Sequence, residues 1–134
     1  MLKKEEAAIQ HLRWDDIPLQ TLAKGLTRRF ITGQQGMISQ LYLAKDAVVP
    51  WHHHFNEQIT YVIDGALEFH FGAEGNEIEV RTIRTGEVLV IPPNLPHMVI
   101  ALEETLDVDV FAPPRQDWID GTDAYFKTGG VGGK

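Results

Sequence analysis

The sequence predicts an all-β fold, a sandwich or barrel closed on one core. Three observations carry this. Between residues 19 and 111 the apolar side chains recur with period two, the spacing of half-buried strands. Turn residues return about every ten positions. No stretch shows a sustained helical period or low complexity. Short alternating strands punctuated this way form antiparallel sheets that share one interior.

Residues 3 to 12 are expected to form a helical turn or two, with Ala7, Ala8 and Ile9 as the apolar part, or else a loose arm. Trp14 and Ile17 would pin that arm to the body, and Pro18 imposes an extended entry. Residues 19 to 23 and 26 to 32 read as strands parted by Gly25, and Gly33 and Gly36 bracket the next turn. Residues 37 to 44 are β-like, and Lys45 and Asp46 make a corner. Val48, Val49 and Pro50 lead into the histidines, with Pro50 suited to a strand start or edge. QITYVID, the hairpin signal Asp64-Gly65 and ALEFHF give two paired strands. IEVRTI, VLVIP and residues 97 to 102 and 106 to 111 complete the set. The barrel is therefore expected over about residues 19 to 112. The tail, 113 to 134, would dock its aromatics Trp118, Tyr125 and Phe126 on the body or on a partner and leave the terminal glycines disordered.

The 134 residues suit a single domain with a modest core. Net charge is −7, from 19 acidic and 12 basic residues, and no basic run exists to follow a phosphate backbone, so nucleic acid is not an expected partner. With no cysteine there is neither a disulfide framework nor a thiolate metal site. The start, MLKKEEAAIQ, lacks the apolar core of a secretory signal, and no apolar run is long enough for a membrane helix. A cytoplasmic location is the expectation.

Chemistry concentrates in WHHHFNEQ, residues 51 to 58. Imidazole is the commonest protein ligand for mid-row divalent metals. In an extended segment His52, His54 and Gln58 share one parity, while His53 and Glu57 take the other. The residues propose a site of His52, His54 and Gln58 that lacks a further ligand. The alternative is that Glu57 shifts in and Gln58 makes an ordinary polar contact. In residues 106 to 111, Asp107, Asp109 and Phe111 share a face opposite Val108 and Val110. Either the acidic face looks toward the metal, or it is a solvated outer face with the valines as core. Tyr42, Tyr61, Phe69 and Phe71 read as core or interface residues, and His70 should face outward if its phenylalanine neighbours face inward.

Two motifs make the chain resemble a small single-domain cupin. In the first, His52 and His54 fill the histidines, Gln58 stands where the family has glutamate, Gly65 closes the motif, and Asp46 replaces its opening glycine. In the second, Gly86, Pro92 and His97 match, Asn94 replaces the middle glycine, and Ala101 stands at a frequent asparagine position. Asp and Asn tolerate positive φ better than other non-glycine residues. The resemblance, over roughly residues 37 to 111, implies a double-stranded β-helix, a jelly-roll barrel with a short N-terminal extension. It also implies one divalent transition metal (Zn, Ni, Mn or Fe), with His97 as the fourth ligand.

Within that family, Asp109, Phe111 and Arg115, together with a glutamine ligand, resemble a cupin of pectin and alginate degradation. That family opens 4,5-unsaturated uronate monosaccharides to linear keto sugars. The resemblance implies that Asp109 handles protons, Arg115 holds the substrate carboxylate and Phe111 shapes the pocket. Arg115 paired with Asp117 on the surface is the alternative. An iron-dependent dioxygenase and a non-catalytic ligand-binding cupin are the competing functions. A homodimer is expected, with Leu19 to Thr32 as its interface.

Overall fold

The computed structural model describes residues 8–133, and the sheet content follows the alternation closely. In chain order the strands are β1 (Gln20–Ala23), β2 (Leu26–Thr32), β3 (Met37–Leu43), β4 (Ala47–His52), β5 (Glu57–Asp64) and β6 (Ala66–Phe71). Then come β7 (Glu79–Arg84), β8 (Val88–Ile91), β9 (His97–Ala101) and β10 (Thr105–Ala112). A short helix α1 (Gln116–Asp120), a 3-10 turn (Ala124–Thr128) and β11 (Gly130–Val131) end the described chain. Part of the expected N-terminal helix, residues 3 to 7, lies outside the described residues. Residues 8 to 12 carry no helix, and only a 3-10 turn at Trp14–Asp16 follows. Arg29 pins that turn by donating Nη1 to the Trp14 carbonyl at 2.8 Å.

The strands form a six-stranded sheet, β1-β2-β3-β10-β5-β8, and a five-stranded sheet, β11-β4-β9-β6-β7. The pairings are antiparallel throughout. This is the β-barrel expected of a double-stranded β-helix. Leu26, Met37, Leu41 and Leu43 from one sheet and Val49, Phe69, Phe71 and Val99 from the other fill one core. Phe69 and Phe71 point in and His70 points out, onto Glu68 at 2.7 Å. Tyr61 is not a core residue: it is 42% exposed on the outer face of β5.

Backbone chemistry explains the unusual motif residues. Asp46 and Asn94 have φ of 72° and 65°, the left-handed conformation that glycine usually serves. Gly65 has φ of 121°, and a Cβ there would lie 2.3 Å from Thr105 Oγ1, so only glycine closes this hairpin against β10. Pro50 sits inside β4 rather than at its start, within an irregularity of the β4–β9 register between Val49 and His52. The terminal glycines also depart from expectation. Gly130 pairs with Val48 and Val131 with Ala47, which fixes the end of the chain on the edge of β4.

Candidate metal centre and acid–base site

The two sheets meet at the histidines. β4 ends at His52, whose register partner on β9 is His97. His54 follows in the loop before β5, so it reaches the cluster by loop geometry rather than by strand parity. His53 is exposed. Asn56, 2% exposed, closes this loop by donating Nδ2 to the Pro113 carbonyl at 2.6 Å and the Pro114 carbonyl at 3.2 Å. β5 turns Gln58 inward and Glu57 outward. The structure thus brings His52, His54, His97 and Gln58 together and leaves Glu57 and His53 outside.

The donor set fits a metal ion. The ligand nitrogens of His52, His54 and His97 lie within 4.8 Å of one another. Each ring is oriented by a backbone carbonyl at Nδ1: Pro50 at 2.7 Å, Asn56 at 3.0 Å and Leu95 at 2.8 Å. Donation from Nδ1–H leaves the Nε2 lone pairs free, the usual arrangement behind metal-bound imidazoles. His97 Nε2 is buried without a partner among the described residues. His54 Nε2 lies 3.1 Å from Gln58 Oε1, although its Nδ1 already faces an oxygen. A neutral imidazole has one N–H, so one of these contacts sets lone pair against lone pair, and a cation beside Nε2 and Oε1 resolves it. Burial lowers the pKa of His54 and His97 to about 4, aided by neighbouring positive charge, Arg115 for His54 and first His54, then Arg115, for His97. Burial, then His97, also holds His52 well below its ordinary value. Neutral rings are the metal-binding form. These three histidines can hold a metal ion, and Gln58 Oε1 is placed to join them.

Behind Gln58 runs a buried polar network. Strand register sets Gln58 opposite Phe111, Thr60 opposite Asp109 and Val62 opposite Asp107. Gln58 Nε2 donates to Thr60 Oγ1 at 2.9 Å and Asp109 Oδ1 at 3.3 Å, which fixes the amide with its oxygen toward the histidines. Thr60 Oγ1 donates to Asp109 Oδ1 at 2.7 Å. The acidic face of β10 therefore looks inward, with Asp107 and Asp109 2% and 3% exposed, and Val108 and Val110 lie outside. Burial, then the charge of Asp109, pushes Asp107 well above the carboxylate range. Burial raises Asp109 as well, opposed by hydrogen bonds from Thr60, Asp107 and Gln58. Burial thus favours a retained proton on the Asp107–Asp109 pair.

Arg115 lies at the mouth, stacked 5.0 Å from the ring centroids of Phe111 and Trp118. It does pair with Asp117, but it is no surface residue: it is 1% exposed. Nε and Nη2 donate to the two Asp117 carboxylate oxygens at 2.9 and 2.8 Å, and Nη2 also donates to Tyr125 Oη at 3.0 Å. The Nε–Nη2 edge is therefore taken by Asp117, and the Nη1–Nη2 edge is blocked at Nη2 by Tyr125. Tyr125 stacks on His52, with centroids 4.5 Å apart and planes 14° apart. Asn56, Thr60 and Tyr125 are not singled out from sequence as site residues, and Asp107 enters there only as part of the acidic face of residues 106 to 111. Parity signals Thr60 and Asp107 once β5 and β10 are paired, but nothing local signals Tyr125.

The family profile described as "Cupin domain" matches residues 40–112. In sequence, the chain is 32% identical over 68 residues to Germin-like protein 1 of Brassica napus, across 50% of this chain and 33% of that protein. It thus spans about a third of the length of that curated relative. In structure, it is similar to KdgF from Halomonas sp., with TM-score 0.72 and 27% identity over 83% of this chain and 99% of that one. An RmlC-like cupin from Shewanella frigidimarina (TM-score 0.70, 22% identity, 83% and 96% coverage) shares the fold. So does Bacillus subtilis oxalate decarboxylase, an enzyme with Mn(II) centres (TM-score 0.68, 21% identity, 76% and 29% coverage). The profile match runs from within β3 to the end of β10 and takes in both sheets where they meet at the histidines; the chain belongs to the cupin domain family.

Proposed function

We propose that this protein is a metal-dependent enzyme that opens the ring of 4,5-unsaturated uronate monosaccharides to linear keto sugars. One observation carries the reading. Gln58 turns its oxygen to the histidine cluster and its amide nitrogen to Asp109, so a proton-handling carboxylate is joined to the ligand set. The likeness to KdgF from Halomonas sp. supports it, and so does the sequence resemblance of Asp109, Phe111, Arg115 and Gln58 to the uronate-opening cupins.

The reaction is an isomerisation. The C1 hydroxyl loses its proton, the bond from C1 to the ring oxygen breaks, the enol at C5 becomes a ketone, and C4 gains a proton. Asp109 takes the hydroxyl proton and returns one to C4. Asp107 lies buried beside Asp109, and burial raises both carboxyl groups, which favours a proton on the pair for transfer. Arg115 attracts the substrate carboxylate, and Phe111 walls the pocket beneath it. A divalent ion held by His52, His54, Gln58 and His97 would polarise substrate oxygens and stabilise the developing negative charge.

The test is turnover of unsaturated uronates released by a polysaccharide lyase, followed by loss of the ultraviolet absorbance of the conjugated double bond. Asp109→Asn and Arg115→Ala should each lower kcat/KM about a hundredfold or more with metal content unchanged. No turnover by metal-loaded protein would overturn the reading. Iron-dependent oxygen uptake would point instead to a dioxygenase, and tight ligand binding without chemistry to a binding protein.

A homodimer is part of the same proposal, through a different face from the leading strands. The outer side of β2 is occupied, since Arg29 bonds Gln40, Tyr42 and the Trp14 carbonyl. An outward apolar row instead crosses exposed Ile38, half-buried Val110, and exposed Ile59 and Val90, which are register neighbours on β3, β10, β5 and β8.

A further inference from the structure

The segment after β10 does more than end the chain. α1, the 3-10 turn and β11 form a strap across the barrel mouth, and Trp118, Tyr125 and Phe126 on it line the same cavity as His52, His97, Asp109 and Arg115. With the strap in place that cavity measures about 30 Å³, room for a water or two and too little for a sugar. The strap is held at both ends. Arg28, pointing in from β2, pairs with Asp123 and stacks 4.1 Å from the Trp118 ring. β11 pairs with β4. Between these anchors, Tyr125 makes the contacts that stop the mouth: its ring lies flat on His52, and its hydroxyl takes a hydrogen from Arg115 Nη2. Asp117 holds the other side of that guanidinium. A ligand carboxylate that bridges Nη1 and Nη2 of Arg115 must therefore displace Tyr125 from Nη2, because Asp117 holds Nε and the other Nη2 hydrogen and is the charged partner.

We propose that Tyr125 is the gate and specificity residue of this site: its ring leaves His52 to admit a small carboxylated ligand, whose carboxylate replaces the Tyr125 hydroxyl on Arg115, and the anchored strap excludes longer chains. The carboxylated ligand rests on the function proposed above; the gate does not.

Two measurements separate them. The first is the rate at which dipicolinate strips metal from the metal-loaded protein. Tyr125→Ala should raise that rate about tenfold or more, and an unchanged rate overturns the gate whatever the substrate. The second is calorimetric titration with D-galacturonate, D-galactose and digalacturonate. Tyr125→Phe keeps the ring on His52 and loses only the hydrogen bond, so galacturonate affinity should rise about two- to tenfold with galactose binding unchanged. Tyr125→Ala should bind galacturonate more tightly still and, with the strap anchored by Arg28–Asp123 and by β11, still exclude digalacturonate. Weaker or unchanged galacturonate binding in both variants overturns the specificity role. If neither wild type nor variants bind any uronate while dipicolinate access rises in Tyr125→Ala, the uronate reading falls and the gate stands.

Discussion

Gln58 shows how one side chain can couple two functions. Its oxygen faces His54, and its nitrogen serves Thr60 and Asp109. Gln58→Glu would add a charge that favours the metal but set a second acceptor against Asp109. Metal content should hold or rise while kcat falls at least about tenfold, as elemental analysis and the turnover assay would read. The histidines set a pH dependence. Folded His54 and His97 titrate at about 4 and unfolded histidine at 6.5, so the unfolded chain binds more protons between those values. Their stabilising contribution in metal-free protein is full above about pH 6.5 and is lost as pH falls toward 4, which urea denaturation across that range would measure. Asp107 acts in the opposite sense. Its folded pKa is raised above 3.8, so its contribution is present below that value and is lost as pH rises toward the folded pKa. Asp107→Asn keeps a donor toward Asp109 and should raise stability at neutral pH.

The element proposed to decide access is the strap, and one of its two anchors is a buried pair. Arg28 and Asp123 have side chains 3% and 8% exposed, and Arg28 also lies against Trp118. Arg28→Met leaves Asp123 buried without its partner, so unfolding stability should fall by about 3 kcal/mol. Trp118 emission should shift to the red as the strap loosens. At the far anchor, a Cβ on Gly129 would come within 2.2 Å of the Val48 carbonyl oxygen. Gly129, which read as part of a disordered tail, is there because the chain passes too close to β4 for a side chain, and at Gly130 a Cβ would lie 2.3 Å from the Lys24 carbonyl oxygen. Composition alone cannot tell close approach from disorder, since both favour glycine.

At the scale of the whole molecule, the six-stranded sheet has two unlike faces. Inside, β5 and β10 present Gln58, Thr60, Asp107 and Asp109; outside, the same strands present Ile59, Tyr61, Ile63, Val108 and Val110. Tyr61 is 42% and Val90 57% exposed, and they belong to one apolar patch with Ile59 and Val88. If this is the dimer face, Tyr61→Lys with Val90→Asp should yield a monomer by light scattering while the far-ultraviolet circular dichroism is unchanged. A monomeric wild type would remove the dimer from the proposal. No helix among the described residues is long and apolar enough to cross a membrane.

Sequence alone determined the strands and most of the site. Period-two alternation is a local property of an extended chain, so β2 could be bounded without knowing its neighbours. The two motifs place His52, His54, Gln58 and His97 because backbone demands, a positive φ at Asp46 and at Asn94, surround the ligands in the chain itself. Parity separated Gln58 from Glu57 for the same reason. Only the tertiary structure decided which face of β10 is the inside, since Asp107 and Asp109 against Val108 and Val110 is a choice that alternation leaves symmetric. It also decided the state of Arg115, paired with Asp117 and Tyr125 rather than free to fork onto a ligand. Tyr125 meets His52 across more than seventy positions of chain. Contacts of that range leave no periodic trace in a sequence, because they arise only when both sheets have closed.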